Sequence, residues 1–353
     1  MTTGATRSRA LELFEFVGAF RTLERYLEEE EFWGAEGLVA DVYLAYGLSQ
    51  SIRRDATPPP PEPCPLPLLA CQIGPSLRDG PSDVSEVATG EWTRSWAPEA
   101  YATTIDEVRA AIARGDVYQV NLVQHLSAPF HGEPDALAAA LAPLRPLHAR
   151  PFVGDGYAIV SASPELFLAR RGRRVWTMPI KGTRPLGREF VDLEKNHAEH
   201  VMIVDLERND LSRVCEPGTV RWPMLMAERE LAGVVHLVST VEGTLREDLG
   251  MADLLEATFP GGSITGAPKI AAVDHIAALE PVGRGASMGA LGRVWPNGDL
   301  ELALTIRTFA VAEERIHLWV GGGIVWDSES DAEIEESWVK ARPLLDALKM
   351  SVA

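Results

Sequence analysis

The dipeptide Asn297-Gly298, set in Pro296-Asn297-Gly298-Asp299 between two apolar runs, constrains the fold of this chain most. Asn-Gly supplies the positive φ angles of a tight turn, so Ala290 to Trp295 and Leu300 to Phe309 are expected to pair as antiparallel strands. In the second strand Leu300, Leu302, Leu304 and Ile306 face one way, while Thr305 and Arg307 face the other. Ile316 to Val320 predicts a further strand, ending in Gly321-Gly322-Gly323. The last helix carries Ile334, Trp338, Ala341, Leu345 and Leu348 on one stripe at helical spacing. Hairpins beside long helices predict an α+β fold on antiparallel sheets, not a doubly wound one.

With 353 residues and 46% hydrophobic content, the chain can bury a large core as one big domain or two modest ones. Residues 8–32 predict a helix ending in Glu28-Glu29-Glu30-Glu31, a run that reads as a solvated face. The stretch from Pro58 to Pro67 can be neither helix nor central strand and reads as an extended linker. The expected organisation is a short N-terminal segment packing on the core (1–56), a proline-rich linker and irregular segment (57–100), and a catalytic domain (101–353). Arg7 and Arg9 lead into Leu11-Glu12-Leu13-Phe14-Glu15, which does not read as a leader, and no apolar run approaches membrane-spanning length. Cys64, Cys71 and Cys215 match no metal-ligand spacing, so reduced thiols in a cytoplasmic protein are expected. A net charge of −18 argues against nucleic acid and membrane as partners. It also repels any anionic substrate, which would need a local cation and oriented backbone amides to bind.

Several segments could carry chemistry. Lys181, in Pro179-Ile180-Lys181-Gly182-Thr183, follows a predicted strand at Val175 to Met178. It can be a nucleophile if burial or a nearby cation frees its amine, and otherwise it is a solvated turn residue. On a helix predicted from Glu194 to Asn209, Glu199 has Met202, Ile203 and Leu206 as its neighbours. A carboxylate on an apolar face must be paired, with Arg208 or Arg213 as candidate partners, protonated, or bound to metal. Asp327 to Glu336 holds six acids. Ser330 with Glu333 fits a helix capping box, whereas Glu336 lacks such a role. Carboxylates without a histidine or cysteine cluster suit Mg²⁺ better than zinc. Pro260 to Lys269 is a glycine-rich loop opening a helix, but Ala267 stands where a P-loop has its lysine. It is an anion site or a tight packing turn. The triple glycine could hold a carboxylate or form a bulge, with Arg307 as a natural carboxylate partner. His236 lies in an apolar run, where a core histidine is the commoner outcome. Glu165, in Ser163-Pro164-Glu165, is a carboxylate entering a strand.

Together these segments resemble the chorismate-utilising enzymes, most closely the component I branch of the 4-amino-4-deoxychorismate (para-aminobenzoate) synthases. The matching runs are Gly115 to Leu122, Ser163-Pro164-Glu165, Pro179 to Thr183, Glu199 to Leu211, His236 to Ser239 and Pro260 to Lys269. Thr305 to Thr308, the triple glycine and Glu336 complete the set, in family order, over roughly residues 101–349. The resemblance implies two packed antiparallel β-sheets flanked by helices, with the site between the sheets. It implies Mg²⁺ on Glu199 and Glu336, with Glu333 as a further candidate ligand, bound to the ring carboxylate of chorismate. Gly182, Thr183, Ser263, Arg307, Gly321, Gly322 and Gly323 are the implied substrate-binding residues, with His236 beside the ring. Lysine in the Pro-Ile-Lys-Gly-Thr run marks the aminodeoxychorismate branch, where anthranilate synthases usually carry alanine. The implied mechanism has Lys181 attack ring carbon 2 while Glu165 protonates the departing 4-hydroxyl. Ammonia, free or from a glutamine amidotransferase subunit, then displaces the lysine in a step toward para-aminobenzoate and folate. Water-activating relatives carry a lysine where this chain has Gln119. Asn196, Arg293 and Ser287 depart from the family pattern, and the region before the core is short. Anthranilate formation on the same scaffold, another specialised chorismate product, and a non-catalytic docking subunit are the competing readings.

Overall fold

The computed structural model describes residues 9–76, 86–190, 193–231 and 234–349. The chain opens with β1 (Ala10–Leu13), α1 (Ala19–Glu29), β2 (Leu38–Leu44) and β3 (Leu69–Pro75). Short strands β4 (Ala88–Thr89) and β5 (Thr93–Arg94) precede α2 (Pro98–Arg114), the long β6 (Gln119–His131) and α3 (Pro134–Leu141). Next come β7 (Phe152–Val153), β8 (Tyr157–Ser161), β9 (Leu166–Arg171), β10 (Arg174–Met178) and β11 (Ile180–Pro185). Helix α4 (Leu193–Ser212), β12 (Arg221–Leu231), β13 (Val234–Thr244), α5 (Met251–Thr258), β14 (Gly266–Ala267) and α6 (Lys269–Leu279) follow. The chain ends in β15 (Ala290–Val294), β16 (Leu300–Leu304), β17 (Thr308–Ala312), β18 (Arg315–Ile324) and α7 (Ser330–Lys349).

The strands form two antiparallel sheets, as expected for an α+β fold. The larger runs β1-β3-β2-β15-β16-β9-β10-β13-β11, with β12 on the other side of β13. The smaller runs β14-β6-β18-β17-β8-β7, with β4 and β5 also on β6. The Asn-Gly turn joins β15 to β16 as read: Gly298 has φ 83°, and Trp295 N–H donates to Asp299 O at 2.9 Å. The expected second strand does not run to Phe309, however. It stops at Leu304, and Arg307 adopts a left-handed φ of 50° before β17 begins in the other sheet. Alternation of apolar residues continues through the break, which is why periodicity alone does not show it.

The N-terminal region differs from its expectation as well. Residues 8–32 are not one helix, because Leu11 and Leu13 belong to β1 and Gly18, left-handed at φ 67°, precedes α1. The segment expected to pack on the core supplies β2 to the large sheet, where it lies between β3 and β15. Its apolar sequence LVADVYL suits a strand covered on both faces. Strand β3 falls in the stretch expected to be linker and irregular.

One core fills the space between the sheets and spreads beneath α1 and α5, including Phe20, Leu23, Phe167, Leu254 and Leu302. A second lies on the outer face of the small sheet, where Leu126, Phe309, Ile316 and Leu318 meet Leu137, Ala341, Leu344 and Leu348 of α3 and α7. Cys64, Cys71 and Cys215 are buried with free thiols. Among the described residues, no helix is long and apolar enough to cross a membrane.

Buried imidazoles give this core a pH dependence. His125 Nε2 and His317 Nδ1 lie 3.0 Å apart on neighbouring strands, and burial pushes them down to about 3 and about 4. Burial likewise pushes His200 and His236 to about 4. In the unfolded chain each protonates near pH 6.5. Stability is therefore full above that value and falls as pH drops toward 4, because only the unfolded chain takes up the protons. Urea unfolding at pH 7.5 and pH 5 is expected to show a loss of roughly 1–2 kcal/mol for each such histidine. Equal midpoints at the two pH values would contradict this.

Candidate active site

The chain crosses between the sheets twice at one place. After β8 it passes through Ala162-Ser163-Pro164-Glu165 into β9, and after β16 it returns through Thr305-Ile306-Arg307 into β17. The crossings run side by side: Leu304 N–H donates to Glu165 O and Ala162 N–H to Arg307 O, both at 2.9 Å. Buried hydroxyls brace them. Ser161 Oγ and Thr308 Oγ1 are 2.8 Å apart, and Ser163 N–H donates to Ser161 Oγ at 3.1 Å. Gly289 N–H donates to Thr305 Oγ1 at 2.8 Å. The left-handed backbone of Arg307 costs about 1–3 kcal/mol, which these bonds offset.

The crossings also open a gap. Strands β10 and β11 lie in line along one side of β13, and β9 pairs with β10 only up to Leu166 opposite Met178. Beyond that point β11 is flanked by the Glu165 side chain rather than by a further described strand. Lys181 therefore sits within a strand and not in a turn. Gly182, at φ 77°, is a bulge that shifts register, so Lys181 lies opposite Leu237 and Thr183 opposite His236.

Glu165 is buried, accepting from Ser263 Oγ at 2.8 Å and Ile180 N–H at 3.4 Å. Burial raises its carboxyl above the usual range, against the pull of Lys181, Ser263, Ile180 N–H and Arg307. Lys181 Nζ donates to the Ser263 carbonyl at 3.2 Å. The amine and the carboxyl thus share one serine. Burial lowers the Arg307 guanidinium, and Glu165 partly restores it. His236 is buried on β13 and its lowered affinity for protons comes from burial and then Arg307, so its ring is neutral at neutral pH.

The glycine-rich loop is a packing turn, with successive backbone groups held by buried charges. Lys269 Nζ donates to Pro260 O at 2.6 Å and Thr258 O at 3.0 Å, and is ion-paired to Asp210. Gly262 N–H donates to Glu207 Oε1 at 2.9 Å. Arg284, 1% exposed, donates to Ile264 O at 3.0 Å and Asn121 O at 2.7 Å while paired to Glu280 at 2.7 Å. Lys269, Glu207 and Asp210 lie in runs singled out from sequence, whereas Glu280 and Arg284 do not. Glu280 and Arg284, four apart after a helix, were the signal available for that pair.

Gly321, Gly322 and Gly323 form no bulge. They lie in regular register on β18, opposite Val123, Leu122 and Asn121 of β6. A Cβ on Gly321 would fall 1.8 Å from Leu122 O, and one on Gly323 1.8 Å from Gln119 Nε2. A Cβ on Gly322 would lie 3.5 Å from both Glu333 Oε2 and Glu336 Oε1 and 3.3 Å from Lys340 Nζ. The two α7 carboxylates therefore converge over a glycine that leaves them room. Glu333 Oε1 accepts from Ser328 Oγ at 2.6 Å. Lys340 Nζ lies 2.8 Å from Glu336 Oε1 and 2.9 Å from Gly321 O, a cationic group already seated at this place.

Glu199 is half-buried on α4, and Arg208, considered as its partner, pairs with Asp205 at 2.7 Å. Among the described residues, no three His, Cys, Asp or Glu side chains gather as a metal cage. Paired carboxylates with a carbonyl nearby still suit Mg²⁺, which keeps several waters and takes substrate oxygens. Asn196 lies on α4, Arg293 pairs with Asp41 at 3.0 Å, and Ser287 is fully buried.

Replacing Lys269 by Met leaves Asp210 buried without its partner and two carbonyls without a donor. Urea unfolding is expected to show a loss of about 3–5 kcal/mol. A change under about 1 kcal/mol would mean that the pair does not hold the turn.

A model of the chorismate binding enzyme family matches residues 15–346, so the chain belongs to that family. Anthranilate synthase component 1 of Streptomyces coelicolor is 41% identical over 280 residues, 75% of this chain and 54% of the relative. Aminodeoxychorismate synthase component 1 of Klebsiella aerogenes is 39% identical over 275 residues, 74% of this chain and 60% of the relative. The chain thus spans a little over half the length of these curated relatives. Among solved structures, anthranilate synthase component I from Streptococcus pneumoniae superposes with a TM-score of 0.77 at 26% identity, covering 89% of this chain and 83% of the other.

Proposed function

We propose that this chorismate-binding enzyme converts chorismate and ammonia to 4-amino-4-deoxychorismate through a covalent adduct on Lys181. The observation that carries the reading is the single serine shared by amine and carboxyl. Lys181 Nζ reaches the Ser263 carbonyl at 3.2 Å, and Ser263 Oγ reaches Glu165 at 2.8 Å. A nucleophile and a protonated acid are thereby set beside one gap.

The chemistry balances on these groups. The Lys181 amine bonds to ring carbon 2 as the 4-hydroxyl departs. Glu165, kept protonated by burial, gives its proton to that hydroxyl, which leaves as water. The resulting carboxylate takes the proton released by the lysine nitrogen. Ammonia then bonds to carbon 4, Glu165 returns its proton to the lysine nitrogen as the carbon–nitrogen bond to Lys181 breaks, and the carboxylate takes up the proton that the new ammonium sheds. Arg307 sets positive charge against the negative field of the chain, and the neutral His236 ring lies beside it without adding to it. Mg²⁺ held by Glu336, Glu333 and Glu199 would supply the positive charge that binds the ring carboxylate of chorismate. Ammonia arrives free or from a glutamine amidotransferase subunit, and the product leads toward para-aminobenzoate and folate.

Anthranilate formation is the second reading, favoured by the 41% and 43% identities to anthranilate synthase components 1. It leaves Lys181 without a covalent role, since ammonia would attack carbon 2 itself. Incubation with chorismate, Mg²⁺ and ammonium, followed by mass detection of products, separates the two. The 4-amino compound is expected, and anthranilate in its place would contradict the proposal. Lys181→Ala is expected to lower 4-amination by at least about 10³-fold. Chelation by EDTA is expected to stop chorismate consumption, and added Mg²⁺ to restore it; undiminished turnover in EDTA would remove the metal from the account.

A further inference from the structure

Beneath the Gly262–Ile264 turn lies a carboxyl that the proposed chemistry does not use. Glu207, on α4, is 3% exposed, and its Oε1 accepts the Gly262 N–H at 2.9 Å. The next residue, Ser263, donates its hydroxyl to Glu165 at 2.8 Å. Two buried carboxyls are thus joined through adjacent residues of one turn. A Cβ on Gly262 would lie 3.1 Å from Glu207 Oε1 and 2.6 Å from Leu206 Cδ2, so glycine is what lets the helix carboxyl approach so closely.

Two like charges joined through one turn in a dry interior disfavour joint ionisation. Glu207 faces Asp210 on its own helix, Lys269 from α6 and Glu165 across the turn; Arg213 acts on Asp210. Glu165 faces Lys181 from β11 and Arg307 from the second crossing. Behind these stand two neutral imidazoles, His200 toward Lys181 and His236 toward Arg307. Lys269 is committed to Asp210 and two carbonyls, so its charge is divided. Burial and Asp210 hold Glu207 well above the usual carboxylate range, and Glu165 adds to this.

We propose that Glu207 is a positioning residue of this active site: by holding the Gly262 N–H it seats Ser263 under Glu165 and ties the two buried carboxyls together through one turn. The proposal rests on the reading of Glu165 as the acid that protonates the departing hydroxyl.

Glu207→Gln keeps an acceptor for the Gly262 N–H and removes the charge. Infrared titration, with the Glu165 band assigned by its loss in Glu165→Gln, is expected to show the Glu165 midpoint falling by about one pH unit in Glu207→Gln. The alkaline limb of kcat, measured with chorismate, Mg²⁺ and constant free ammonia, is expected to move the same way. A purely structural Glu207 would leave both in place, which overturns the proposal. Coupling is reciprocal, so Glu165→Gln must lower the Glu207 midpoint equally, and this arm decides the matter if Glu207→Gln does not fold. The midpoints are read without turnover. A wild-type protein that leaves chorismate untouched therefore contradicts the proposed reaction, while the midpoints still decide on Glu207.

Discussion

Two hydrogen bonds between chain crossings hold this architecture together. Leu304 N–H to Glu165 O and Ala162 N–H to Arg307 O tie the place where two neighbouring strands pass directly from one sheet to the other. If the crossings separated, the β9–β16 pair of one sheet would lose its fixed position against the β8–β17 pair of the other. The same geometry delivers Glu165 and Arg307 between the sheets and ends β9 early, which leaves β11 flanked by the Glu165 side chain. Fold and candidate chemistry thus have one origin, a pair of strands that change sheets together.

The turn at Gly262–Ile264 is the second element on which the site depends. Its backbone and its one hydroxyl are held by Glu207, Glu165, Lys181 and Arg284, which reach it from other parts of the chain. Burying so many charges is costly unless each is paired or bonded, and here each meets a backbone group or an opposite charge. The arrangement trades stability for a fixed position of one serine between a lysine and an acid. A strongly acidic chain that is to bind an anion has to concentrate its positive charge in this way.

Much of this was legible in the sequence. The Asn-Gly turn gave the antiparallel hairpin, and the motif runs pointed to the family and to Lys181 and Glu165. The switch of sheets after Leu304 was not legible, because apolar alternation continues through Ile306 although the backbone turns left-handed at Arg307. The strands β2 and β3 were obscured by the short, proline-rich N-terminal region, where burial on both faces erases alternation. The triple glycine was read as amide donors or a bulge. Its cause is steric: a neighbouring carbonyl, a glutamine side chain and two converging carboxylates each need the space of a missing Cβ. Glu207 and Arg284 carry charges in apolar settings, and only their contacts distinguish them from surface residues.

The central claim is that Lys181 forms a covalent bond to the substrate. Incubating the protein with chorismate and Mg²⁺ in the absence of ammonia, then analysing it by intact and peptide mass spectrometry, tests this most directly. The account predicts an added mass of chorismate less one water on the peptide containing Lys181, discharged when ammonium is supplied. A protein that forms the 4-amino product yet never carries that mass would contradict it.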